Sequence, residues 1–153
     1  MKIRNMELKD YQTVDFFMQE LHKLHVEGAP DSFMSLEHPY SKEEFIQKVE
    51  DNQCISILAE EDMKILGICF VSIRERSGMV KKCIAYMDDL YVCMEARKRG
   101  IATALFKEAE ELAKMKGAER MDLMVWNFNE SASEFYKSMG MNVQRMILEK
   151  EIV

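Results

Sequence analysis

The chain has no CxxC pair, no nucleotide-binding GxxxxGK[ST] or GxGxxG, and only two prolines. Nowhere do about 18 apolar residues run together, which excludes a membrane-spanning helix. The opening "MKIRNMELKD" has no apolar core of signal-peptide length, so a cytoplasmic protein is expected. Cys54, Cys69, Cys83 and Cys93 stand alone in apolar segments, a pattern that suits buried, reduced thiols and gives no metal site and no disulfide framework. Basic residues are the scarcer charge: 21 Lys and Arg stand against 27 Asp and Glu, for a net charge of −6. A polyanion would be repelled, so no nucleic acid is expected as partner, and a cationic or amine partner suits the chain better. With no Pro/Gly/Ser-rich linker, no repeat and no shift of composition, the 153 residues, 48% hydrophobic and 31% charged, read as one domain over 1–153.

What is present reads as alternating strands and helices. A short strand near Ile3 to Met6 precedes a helix whose Val14, Phe17, Met18, Leu21 and Leu24 recur at the spacing of one buried face, ending at Gly28 and Pro30. Ser41 with Glu44 forms a capping box for a second helix that carries Phe45, Ile46 and Val49 inward. "CISILAEED" and "KILGICFVSIRER" read as a hairpin, followed by a third strand, "CIAYMDDLYVC". A helix from Ile101 to about Lys116 stops at Gly117, "RMDLMVW" is another strand, and Asn129 caps a last helix that ends at Gly140. "NVQRMILEKEI" then closes the chain as a strand. The order β-α-α-β-β-β-α-β-α-β predicts an α/β fold in the loose sense: a mixed, mainly antiparallel sheet with helices on both faces. Exposed sheet edges of this kind favour pairing, so a homodimer is compatible with the pattern.

In "LYVCMEARKRGIATALFKEAEELA", three cations, Arg97, Lys98 and Arg99, sit where a strand hands over to a helix. A helix start offers backbone N–H groups without intrahelical partners and a partial positive charge. Gly100 permits close approach, and Ala102 and Thr103 are too small to shield the amides, so this corner predicts an anion cradle.

"RKRGIA" resembles the Arg/Gln-x-x-Gly-x-Gly/Ala signature of the Gcn5-related N-acetyltransferase superfamily. "VWNFNESASEFYKSMGM" is similar to that superfamily's second pattern at Asn129, Ala132, Phe135, Tyr136 and Gly140. The likeness is firm over about residues 84–141, with Ala102 where glycine is commoner and Met141 where phenylalanine is usual. It implies a three-layer fold with a splayed central sheet and acetyl-coenzyme A as co-substrate, its pyrophosphate held by Arg97, Lys98, Arg99, Gly100, Ile101, Ala102 and Thr103. The pantetheine arm would bond the backbone of Leu90, Tyr91 and Val92, and Asn129 would contact the coenzyme. The acceptor would be a primary amine of a small molecule or peptide.

Strand periodicity places Tyr86, Asp88, Leu90 and Val92 on one face of their strand and Met87, Asp89 and Tyr91 on the other. An alkylammonium cannot attack until it loses a proton, so a base is needed; Asp88 is the first choice and Asp89 the competitor. Tyr136 occupies the resemblance's general-acid position. A Cys93 nucleophile is the rival mechanism, without a histidine placed to activate it. His22 and His25, three apart on the first helix, line an amine pocket, bind a metal or form a partly exposed pair without function. Acceptor recognition is expected in "HVEGAPDSFMSLEHPY", with Glu27, Asp31, Phe33 and Glu37 as candidates. Two further readings compete with an enzyme: a sensor that binds a coenzyme A thioester without transfer, and a phosphopeptide or RNA reader.

Overall fold

The computed structural model describes all 153 residues. Five strands, β1 (Lys2–Asn5), β2 (Cys54–Glu61), β3 (Lys64–Glu75), β4 (Cys83–Val92) and β5 (Arg120–Asp122), form one sheet in that spatial order. The first four pair antiparallel and β5 joins β4 in parallel. Between them run α1 (Tyr11–Gly28), α2 (Lys42–Glu50), α3 (Ile101–Met115) and α4 (Glu130–Ser138), with 3₁₀ turns at Leu8–Asp10 and Met94–Ala96. No helix is long and apolar enough to cross a membrane.

Helices lie on both faces, as the element order predicts. The Tyr91 ring lies tilted 5.3 Å from that of Phe17 of α1, while a Cβ on Gly67, which opposes Val92, would come within 3.0 Å of Leu105 of α3 and 3.2 Å of Val92. Consecutive strand residues point to opposite faces, so α1 and α3 are separated by the sheet. Phe45, Phe70, Ile57, Leu58, Ile68, Ile84 and Leu105 are the bulkiest of the fully buried side chains, and cutting Phe45 or Phe70 to alanine would cost about 3–5 kcal/mol. The Ser41 hydroxyl accepts from the Glu44 amide, completing the capping box on α2. Along α1 the buried face covers Val14, Phe17 and Met18, with Leu24 exposed where the periodicity predicts burial. All four cysteines are free; Cys69 and Cys93 are buried, Cys54 and Cys83 half-buried.

Three expectations fail. Residues 142–153 form no strand, and their apolar side chains stand in solvent. "RMDLMVW" pairs only over Arg120–Asp122, after which the chain leaves the sheet. The face assignment along β4 is also wrong, because a β-bulge interrupts it: Phe70 opposes Asp89 and Val71 opposes Met87, leaving Asp88 as the extra residue. Opposed residues of an antiparallel pair share a face. Asp89 and Tyr91 therefore join Tyr86 on the α1/α2 side, whereas Leu90 and Val92 turn toward α3. Simple alternation cannot anticipate an inserted residue, and here the insertion brings Asp88 and Asp89 to one face.

Candidate active site

The ladder between β4 and β5 has three rungs, Ile84 to Arg120, Ala85 to Met121 and Tyr86 to Asp122. From Met87 onward β4 is paired on its β3 side only, so Leu90, Tyr91 and Val92 border an open gap in the sheet. Backbone groups facing such a gap are free to bond an extended ligand.

On the α1/α2 side of this gap sit the two carboxylates. Asp89 accepts a hydrogen bond from the Tyr40 hydroxyl. Tyr40 packs edge-on against Phe70 at 5.6 Å, and the Lys48 ammonium lies over the Tyr40 ring at 4.6 Å. Burial pushes the Asp89 carboxyl up to about 6, helped by the charge of Asp88 and opposed by Tyr40 and Lys48. Asp88 is held differently. Its Oδ1 accepts from Arg74, whose guanidinium stacks 4.0 Å from the Tyr86 ring centre, and its Oδ2 is buried with no hydrogen-bond partner. A buried carboxylate oxygen left unpaired is a costly feature in a folded chain and marks a place for a donor to come.

A cavity of about 200 Å³ reaches Asp89 and Tyr40; Met18, Leu21, Leu36 and Pro39 make its apolar walls, and His22 and His25 its flank. His22 Nε2 lies 2.6 Å from the Met34 carbonyl, and burial, then the neighbouring His22, depresses the basicity of His25. An aromatic wall continues outward: the His25 ring stacks on Phe33 at 5.2 Å, and Phe33 meets Trp126 at 4.9 Å. Phe128 fills the space beside Gly28, where a Cβ would come within 2.1 Å of its ring. Of the loop residues expected to recognise a cation, only Phe33 turns into this wall; Glu27, Asp31 and Glu37 are exposed. A larger open groove, about 810 Å³, lies between the start of α1 and the β2–β3 turn, and neither Asp88 nor Asp89 lines it.

At the far end of β4 the chain turns into α3. Lys98 has φ +62° and Gly100 has φ +80°, left-handed conformations that glycine adopts without penalty. A Cβ on Gly100 would touch nothing, so the glycine is needed for its conformation and not to make room. No side chain caps α3, and the amides of Lys98 through Thr103 have no acceptor within the protein. Successive free N–H groups at a helix start form a concave anion site. The three cations are not equivalent there. The Arg97 guanidinium donates to the Val92 carbonyl at 3.0 Å and Arg99 pairs with Glu61 at 2.6 Å, while Lys98 has no protein partner.

Tyr136 is half-buried on α4 between Phe106 and Phe135, its hydroxyl without a hydrogen bond. Burial, with the Cys69 and Asp89 charges behind it, keeps that hydroxyl protonated far above neutral pH. Asn129 Oδ1 accepts from the Ala132 amide, so the residue caps α4 as the sequence predicts. Cys93 is buried and no histidine bonds it. Sequence reading missed Tyr40, Lys48, Arg74, Trp126 and Phe128. Tyr40 alone carried a local signal, as an aromatic residue directly before the capping Ser41.

The free amides, the uncrowded glycine and the unpaired edge fit a phosphate-bearing, extended ligand such as coenzyme A. The sequence profile of the acetyltransferase (GNAT) family matches residues 18–141. The putative ribosomal protein bS18-alanine N-acetyltransferase of Bacillus subtilis is 29% identical over 140 residues, covering 91% of this chain and 79% of the relative. The thialysine N-epsilon-acetyltransferase of Bos taurus is 36% identical over 55 residues, 36% of this chain. The match spans about a third of that relative's own length, 32%. Among solved structures, a mutant BH1408 protein from Bacillus halodurans superposes with a TM-score of 0.94 at 25% identity over the full length of both chains. The aminoglycoside N-acetyltransferase AAC(6')-Iy in complex with CoA shares the fold, with a TM-score of 0.75 at 17% identity over 99% of this chain and all of that one.

Proposed function

The chain belongs to the acetyltransferase (GNAT) family, and from that premise we propose that it transfers an acetyl group from acetyl-coenzyme A to a primary amine of a small molecule or peptide, by direct attack in a ternary complex. The observation that carries this reading is the bulge that sets Asp88 and Asp89 on one face beside the unpaired edge of β4, with Asp89 lining a cavity walled by Met18, Leu21, Leu36 and Pro39.

The two carboxylates divide the work. Arg74 donates to Asp88 Oδ1 and fixes the carboxylate in place, and its free Oδ2 receives an N–H of the incoming ammonium. The apolar walls disfavour the ammonium's charge and so ease its deprotonation. Asp89, with its carboxyl raised to about 6, is poised to take that proton near neutral pH, and Tyr40 orients it. This shifts the base from Asp88, the first choice on sequence, to its neighbour.

The coenzyme's thioester supplies an activated acetyl group. Lys98 and the amides of Arg99 to Thr103 hold its diphosphate, with Arg97 and Arg99 shaping the corner. The gap beside Leu90, Tyr91 and Val92 receives the pantetheine, and Asn129 flanks it. Tyr136 holds the proton that the departing thiolate requires.

The relatives' acceptors, thialysine, the alanine of a ribosomal protein and aminoglycosides, are all amines, which is why an amine is proposed here. A cytoplasmic setting belongs to the same reading, supported by four free cysteines. The test is release of free thiol from acetyl-coenzyme A across polyamines, aminoglycosides, amino acids and peptide N-termini. Release with at least one class, accompanied by acetylated amine, supports the proposal. Tight coenzyme binding with no release from any of them replaces it with a sensor.

A further inference from the structure

The cavity that reaches Asp89 has no second carboxylate in its lining. Met18 and Leu21 of α1 wall it on one element, Leu36 and Pro39 of the following loop on another. Its two histidines bring no negative charge. His22 Nε2 is already turned to the Met34 carbonyl, and burial depresses the basicity of His25, which is neutral at pH 7.

The acidic residues nearby are engaged elsewhere. Glu27, Asp31 and Glu37 stand in solvent, where an ion pair contributes little. Asp15, three residues before Met18 on α1, accepts from His38 Nδ1 at 2.9 Å and from Gln19 Nε2 at 3.0 Å, and it lines no part of the cavity. Its Oδ1 is buried without a partner and is the rival seat for a second cation. An amine nitrogen held at Asp88 and Asp89 therefore carries its substituent into apolar space. With about 30 Å³ for each water-sized group, the cavity of about 200 Å³ takes roughly six or seven heavy atoms. A second ammonium within it would be buried without a counter-charge, which is strongly unfavourable. Further out, the stacked rings of His25 and Phe33 and the Phe33–Trp126 contact continue the same track.

We propose that the acceptor is a primary amine carrying one positive charge on a compact apolar body, and that this cavity rejects diamines, polyamines and aminoglycosides, whose further ammonium groups find no partner there. The inference rests on the acetyl-transfer reading and narrows it. Two sources present this chemistry, a free alkyl monoamine and the N-terminus of a peptide whose first residue is apolar. Leu36, on the loop and 51% exposed, is the specificity-determining position most open to change.

Pentylamine and 1,4-diaminobutane have equal numbers of heavy atoms and differ by a methyl in place of an ammonium. With acetyl-coenzyme A, kcat/KM for thiol release is expected to be on the order of 100-fold higher for pentylamine. Norleucyl-glycinamide against ornithyl-glycinamide repeats the comparison for the peptide source, and the higher kcat/KM of the two monocations identifies the source. Leu36→Glu adds a counter-charge at the wall and is expected to shrink the preference at least several-fold. Binding is read separately from the side-chain methyl signals of Met18 and Leu36, in the presence of coenzyme A. Pentylamine is expected to shift them saturably and 1,4-diaminobutane to leave them in place. Those shifts without thiol release from any amine would remove acetyl transfer and keep the selectivity of the cavity. Equal or better use of the dications, a preference for them that Asp15→Asn abolishes, or turnover without methyl shifts would overturn the inference and leave acetyl transfer standing.

Discussion

At the bulge of β4, Asp88 and Asp89 are enclosed by side chains from α1, the loop at 29–40, α2 and β3. At the other end of the strand, Arg97 to Gly100 lie exposed in a turn made by adjacent residues. The first region gathers negative charge under low-dielectric cover, where burial itself changes the chemistry and lifts a carboxyl to about 6. The second gathers positive potential in water, from free amides and a backbone held in left-handed conformations. Proton transfer needs the one, and anchoring a highly charged ligand needs the other. Their separation along a single strand makes the two functions independently breakable.

The largest effect is expected from Asp89→Asn, which removes the proton acceptor while leaving the turn intact. Turnover measured by thiol release should fall by about 10²–10⁴-fold with coenzyme affinity unchanged. Equal loss of affinity would merge the two regions and defeat the comparison. In the unaltered protein the rate should fall on the acid side with a midpoint near pH 6, because a protonated Asp89 cannot accept. An acid limb that persists in Asp89→Asn and vanishes in Asp88→Asn would return the base to Asp88.

Tyr136→Phe comes next, with turnover lowered by about 10²-fold and binding of the product thiol unaltered. Gly100→Val tests the exposed region instead. Its Cβ meets no atom, so its penalty is the left-handed backbone alone, about 1–2 kcal/mol, or roughly ten-fold weaker coenzyme binding by calorimetry. Gly28→Ala should displace the Phe128 ring and raise the KM for the amine several-fold with coenzyme binding preserved.

Stability offers a smaller and independent check. Between the unfolded carboxyl value near 3.8 and the folded value of about 6, the folded chain binds more protons than the unfolded one. Unfolding free energy therefore falls as pH rises through that window, by about 3 kcal/mol over its full width. Asp89→Asn abolishes this loss. The variant should melt several degrees above the parent at pH 7 and lose that advantage near pH 4.

The same contrast explains what could be read from sequence. The cradle is contiguous: Arg97 to Thr103 carry their glycine, cations and helix start within one stretch, and Asn129 caps α4 where its spacing predicts. The carboxylate region is assembled from residues far apart in the chain. Nothing local announces that Tyr40 will donate to Asp89 or that Phe33 will meet Trp126. Alternation along "YMDDLYV" predicts opposite faces for Asp88 and Asp89, and a single inserted residue, invisible to a period of two, reverses that. The arm failed for another reason. Its pattern is that of a strand, but a strand needs a partner, and no backbone hydrogen bond joins residues 142–153 to the free edge of β5.

The most direct measurement is a titration of the isotope-labelled protein with acetyl-coenzyme A, followed by amide chemical shifts. Saturable binding with the largest shifts at Lys98 to Thr103 and along Met87 to Val92, and little change at the groove of Lys9 and Lys64, is the predicted result. No binding at millimolar ligand, or shifts centred on that groove, would contradict the account.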